Sequence, residues 1–278
     1  MEPLIAANQL LAHSHDTDWA TIDCRFYLAE PHRGEREYLL GHIPGAVYAH
    51  LDRDLSAPPS GTNGRHPLPS IVKMTDRFSQ WGIDEAVRVI VYDTAGGQIA
   101  ARLWWMLRFL GHDAVSVLDG GLAAYEASGG PLARNHERRS PRRFEPRVRE
   151  AMRIDVDALR KTLENHLLLD ARAPERFRGD AEPLDPVAGH IPGARNLPSS
   201  TNLDERGRFL PEQELRKRFS AVIEGGGDSV VSYCGSGVTA CHNLLAMEIA
   251  GLTGAKLYPG SWSEWCADRE RPIAIGDA

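Results

Sequence analysis

A chain of 278 residues, 42% hydrophobic and 25% charged, has the composition of an ordinary globular protein and the length of one to two domains. Its net charge of −6 argues against a nucleic-acid surface, and no apolar run approaches the length of a membrane span. Cysteines 24, 234, 241 and 266 form no Cys-x-x-Cys pair and no zinc-spaced His/Cys cluster, and the first residues lack the basic-then-apolar pattern of a secretory leader, so neither metal nor organic cofactor is implied and the expected compartment is the cytoplasm.

The first landmark is an apolar run ending in Asp23-Cys24-Arg25, followed by Gly41-His42-Ile43-Pro44-Gly45-Ala46. A second apolar run, Arg88 to Asp93, passes through a glycine-containing turn into an amphipathic segment over 100–110. A short strand and turn, Val115 to Gly121, close the series. After a basic stretch the series begins again. A helical pattern over 155–163 precedes Asp170-Ala171-Arg172, then Gly189-His190-Ile191-Pro192-Gly193-Ala194, then the strand Ser229 to Cys234, a helical run over 241–251, and a strand and turn from Ala255 to Ser261. Four landmarks in one order, offset by about 140 to 150 residues, mark a duplication, and the period is too long for a solenoid.

Short apolar strands alternating with amphipathic segments imply βαβ units. The expected fold is therefore α/β, two tandem domains, each a mainly parallel sheet with helices on both faces. The boundaries read as 1–132, a basic linker over 133–150, and 151–278, with the division near 140. The linker holds seven arginines but Phe144 is its one aromatic residue, which suits a solvated connection better than a nucleic-acid arm.

At the end of the equivalent strand the first half has Asp93 and the second has Cys234. Ligands of open parallel sheets bind at the carboxyl ends of strands. A cysteine there, before a glycine-containing loop and a helix, faces unpaired backbone N–H groups that favour the thiolate, the nucleophilic form. Gly235 and Gly237 let such a loop curl around an anion. A buried, inert cysteine in a turn is the competing reading of the same residues.

Cys234-Gly235-Ser236-Gly237-Val238-Thr239 resembles the active-site loop of the rhodanese superfamily, in the form carried by its 3-mercaptopyruvate sulfurtransferase branch. The paired Gly-His-Ile-Pro-Gly-Ala segments and Gly260-Ser261-Trp262-Ser263-Glu264-Trp265 are further landmarks of that family, and the likeness covers nearly the whole chain. It implies a two-domain enzyme in which the second domain alone is catalytic. It also implies double displacement: Cys234 takes sulfur from a small donor as a persulfide, held by the loop from Gly235 to Thr239, and passes it to cyanide or to a thiol, such as that of a thioredoxin-like protein.

Thiosulfate-preferring relatives carry Arg and Lys just after the cysteine, whereas this chain has Gly235 and Ser236, which favours a less charged donor, 3-mercaptopyruvate. Arg176 matches the family's substrate arginine, and a guanidinium grips a carboxylate bidentately. The second substrate arginine common in that branch is missing from Ala181 to Val187, so Arg178 is a candidate substitute, while Arg172, with its counterpart Arg25, reads as structural. The branch also implies a Ser–His–Asp relay that protonates the enolate of pyruvate, here Ser236, His66 and Asp52, with Asp54 as rival for the third place. Such a relay draws on both halves of the chain.

Two other classes fit less well. A phosphatase on this fold needs arginine six residues after the cysteine, where Ala240 stands. A noncatalytic rhodanese-like module would lack the cysteine, as the first half does.

Overall fold

The computed structural model describes residues 2–277, which divide into two compact units. The first comprises the chain up to Ala57, Pro69–Arg149 and Glu205–Arg208. Its strands β1 (Leu4–Ile5), β2 (Trp19–Asp23), β3 (Val47–Tyr48), β4 (Arg88–Tyr92) and β5 (Val115–Leu118) run parallel in the order β1-β5-β4-β2-β3. Helices α1 (Ala7–Ala12), α2 (Arg33–Leu40), α3 (Leu51–Asp54), α4 (Ile71–Gln80), α5 (Ala100–Phe109) and α6 (Gly121–Ala127) connect and flank them. Every residue of β2 and the last four of β4 are buried, as strands covered by helices on both faces must be.

The second unit comprises Pro58–Leu68, Glu150–Asp204 and the chain from Phe209 onward. Strands β6 (Leu167–Asp170), β7 (Arg195–Asn196), β8 (Val230–Tyr233) and β9 (Lys256–Leu257) form a parallel sheet in the order β7-β6-β8-β9. Its helices are α7 (Val156–Lys161), α8 (Pro174–Arg178), α9 (Glu212–Ser220), α10 (Ala240–Ile249) and α11 (Ser261–Trp265). Asp155, the first residue of the expected helix, is the N-cap of α7, its carboxylate accepting the Ala158 N–H at 2.8 Å.

The repeated landmarks do the same structural work in both units. Arg25 grips Asp23 and Arg172 grips Asp170, each through Nε and Nη2. Each Nη2 also donates to the glycine carbonyl that opens the Gly-His-Ile motif, Gly41 or Gly189, at 2.7 Å. The motif isoleucines, Ile43 and Ile191, then enter the two hydrophobic cores. Arg172 is thus held by its own strand end, with Glu182 at 3.4 Å as a further partner and the Trp262 ring beneath it. The arginines after residue 133 are not left to solvent alone. Arg139 donates to the carbonyls of Thr17 and Trp19, and Arg142, Arg147 and Arg149 pair with Asp84, Glu85 and Asp113 of the same unit.

Candidate active site

Cys234 directly follows β8, a central strand, and is 2% exposed. Its Sγ accepts the N–H of Gly237 at 3.1 Å and of Ser236 at 3.4 Å, so the loop curls its own amides around the sulfur. Gly237 makes that curl possible: its φ is +76°, and a β-carbon there would lie 2.2 Å from the Pro259 carbonyl oxygen. The loop then passes into α10, where the Val238 and Thr239 carbonyls accept the N–H groups of Cys241 and His242.

The first turn of α11 clamps this loop from the other side. The N–H groups of Trp262 and Ser263 donate to the carbonyls of Cys234 and Gly235, each at 2.9 Å. Ser261 adopts a left-handed backbone, φ +54°, and its Oγ accepts the Cys234 N–H at 3.1 Å while donating to the Tyr258 carbonyl.

The chain from Pro58 to Leu68 brings two more side chains to the same unit. His66, buried, places Nδ1 2.8 Å from Ser236 Oγ. Its position follows from its neighbours: the Arg65 N–H donates to Ser263 Oγ at 3.0 Å, and Gly64 packs so tightly on Gly260 that a β-carbon would lie 2.8 Å from its carbonyl oxygen. Asp52 lies exposed on α3 of the first unit. Its rival Asp54 is engaged elsewhere, accepting the His50 N–H at 2.8 Å and pairing with Arg77 at 2.9 Å.

Arg176 on α8 is held by two acids, Glu182 at 2.7 Å and Asp185 at 3.2 Å. Burial opposes ionisation of Glu182, but its bonds from Arg176 and from the Leu184 and Asp185 N–H groups prevail and keep its carboxyl below the usual range. Asp185 also accepts from Arg65. Arg178 is turned outward to Asp180 at 2.8 Å and is half exposed. Three guanidinium groups (Arg65, Arg172, Arg176) therefore meet three carboxylates (Asp170, Glu182, Asp185), a formally neutral cluster.

The other cysteines sit in less reactive surroundings. Burial, then the Asp23, Asp93 and Asp54 carboxylates, raise the Cys24 thiol well above its ordinary range. Cys266 is pushed up to about 11, chiefly by burial. Cys241 donates its S–H to the Gly237 carbonyl at 3.4 Å.

The sequence reading passed over Arg65, Asp185, Ser261 and Ser263. Ser261 and Ser263 stand within the landmark Gly260 to Trp265, and Arg65 directly precedes His66, but only their partners reveal what they do. Gly235 is also explained differently. It has no left-handed φ; a β-carbon on it would lie 2.8 Å from Arg65 Nη2 and 3.4 Å from Arg176 Nη1, so it leaves room beside the guanidinium groups. Among the described residues no group of three or more His, Cys, Asp or Glu is arranged to hold a metal ion, and no helix is long and apolar enough to cross a membrane.

The rhodanese-like domain model matches residues 6–128 and 155–268. A Pseudomonas aeruginosa protein described as a probable 3-mercaptopyruvate sulfurtransferase is 48% identical over 99% of this chain and 98% of its own length. A Mycobacterium tuberculosis protein provisionally named a thiosulfate sulfurtransferase is 41% identical over the same shares, 99% and 98%. The solved structure of 3-mercaptopyruvate sulfurtransferase from Leishmania major superposes with a TM-score of 0.84 at 31% identity, covering 95% of this chain and 74% of that one.

Proposed function

The chain belongs to the rhodanese-like family of sulfurtransferases, and from that premise we propose that it moves sulfur from 3-mercaptopyruvate to a thiol or cyanide acceptor through a persulfide on Cys234. The observation that carries this reading is the buried Cys234 sulfur, cradled by two loop N–H groups beside Arg176 and a His66–Ser236 pair.

The Cys234 thiolate attacks the donor sulfur, forming an S–S bond as the donor's C–S bond breaks. The bonding pair goes to carbon, giving the enolate of pyruvate, which takes a proton and leaves as pyruvate. Ser236, backed by His66, supplies that proton. Support for Asp52 as the third member rests on its place in the sequence and on the engagement of Asp54 by Arg77 and the His50 N–H. The thiolate of an acceptor, such as a thioredoxin-like protein, then attacks the outer sulfur, and the S–S pair returns to Cys234. A cytoplasmic setting suits a thiol catalyst whose four cysteines form no disulfide.

The donor preference follows from charge. A neutral cluster with a serine hydroxyl at 236 suits one carboxylate better than the two charges of thiosulfate. In steady-state kinetics run side by side, kcat/KM for 3-mercaptopyruvate should exceed that for thiosulfate, and the double change Gly235→Arg, Ser236→Lys should move the ratio toward thiosulfate by about tenfold, the worth of about 1.4 kcal/mol. A wild-type preference for thiosulfate overturns the donor.

A further inference from the structure

We infer that Arg65 is a donor-binding residue: its guanidinium and that of Arg176 together hold the carboxylate of the sulfur donor over Gly235. The inference rests on the reading of the donor as 3-mercaptopyruvate and adds the residue that selects its carboxylate.

Two guanidinium groups from distant parts of the chain converge beside the nucleophile. Arg65 Nη2 and Arg176 Nη1 are the nearest atoms to the vacant β-position of Gly235, at 2.8 and 3.4 Å, and Gly235 is the neighbour of Cys234. Both arginines are fixed by one buried carboxylate, Asp185, which takes Arg65 on Oδ1 and Arg176 on Oδ2. Glu182 occupies Nε and Nη2 of Arg176, so its Nη1 is the amine presented toward Gly235. Arg65 binds Asp185 through Nη1 and presents Nη2 to the same point. Asp185 thus holds the two groups together, and each keeps N–H donors toward Gly235 with which to grip a carboxylate. The segment Ala181 to Val187, where the resemblance leads one to expect a second substrate arginine, contributes Asp185 instead, and Asp185 recruits Arg65. Arg178, the other candidate, is committed to Asp180 at the surface.

A purely structural Arg65 would only fasten the segment that carries His66, and donor chemistry separates the two roles. The wild-type enzyme, Arg65→Gln and Arg65→Lys are assayed with 3-mercaptopyruvate and with mercaptoacetone, which keeps thiol and ketone but has no carboxylate. Thermal melts check folding. Arg65→Gln should raise KM for 3-mercaptopyruvate by about 10- to 100-fold, the range for a hydrogen bond between charged groups, with little change in kcat. It should affect mercaptoacetone turnover far less, and Arg65→Lys should recover part of the loss. Equal losses with both donors, or no loss with either, overturn the inference. If instead wild-type enzyme gains no sulfur from 3-mercaptopyruvate by intact mass, the donor reading has failed and not the role of Arg65 alone.

Discussion

The two halves carry one loop with two fillings. In the first, Asp93 follows β4 and its carboxylate is wrapped by four backbone N–H groups: Ala95 and Gly97 on Oδ1, Ile99 and Ala100 on Oδ2, all at 2.8 to 2.9 Å. In the second, Cys234 follows β8 and its sulfur takes the N–H groups of Ser236 and Gly237. The surroundings match as well. Leu122 donates its N–H to the Asp93 carbonyl as Trp262 does to that of Cys234. Such a loop is an anion cradle by construction. The first half fills it with a carboxylate, and the second fills it with a sulfur. Ala95 stands where Ser236 stands in the other loop, so the first half also lacks that hydroxyl.

The largest effect expected from this contrast is at the nucleophile. Cys234→Ser should abolish sulfur transfer with every donor and leave no mass gain, while Cys24→Ser, Cys241→Ser and Cys266→Ser remain active. Residual turnover by Cys234→Ser would end the distinction between the loops. Next comes the proton path. His66→Ala should lower kcat by roughly 10²-fold, the usual worth of a general acid–base group, with a smaller change in KM. Wild-type kcat in that variant would remove the relay and keep the persulfide. The smallest kinetic effect belongs to the filled cradle. Asp93→Asn replaces one accepting oxygen with an amide NH2, leaving two loop N–H groups without an acceptor, and should cost roughly 2–4 kcal/mol in urea unfolding while kcat per folded molecule is unchanged. A fall in kcat would mean that the first loop serves catalysis after all.

The duplication was legible because each landmark is local. An Asp-x-Arg pair, a Gly-His-Ile turn and a strand ending in Cys or Asp are each set by neighbours close in sequence. Cys234 could be picked out for the same reason, whereas Ser236 and Arg176 were assigned roles through resemblance to relatives. The pairing of Arg65 with Asp185 spans 120 positions and the contact of His66 with Ser236 spans 170. Nothing in composition or periodicity reports such pairs, and His66 was reached only through resemblance to relatives. Gly235 was read as letting the loop curl around an anion, whereas its neighbours show it to leave room for two guanidinium groups.

Ser261 has a consequence for how the fold tolerates change. The first half places Gly121 at φ +57°, where glycine rests without penalty, and the second places Ser261 at φ +54° in the corresponding turn. A side chain in that conformation costs roughly 1–2 kcal/mol, so this turn stores backbone strain that its counterpart in the first half does not. The usual order of substitutions should therefore invert. Near the start of a helix alanine is ordinarily the safer replacement and glycine the worse, by up to about 1 kcal/mol. At 261 both replacements lose the hydroxyl that fixes the Cys234 N–H, but only glycine releases the strain. Ser261→Gly should then melt at a higher temperature than Ser261→Ala, with both slower than wild type. The Gly–Ala difference in stability reads out, at one residue, the strain stored beside Cys234.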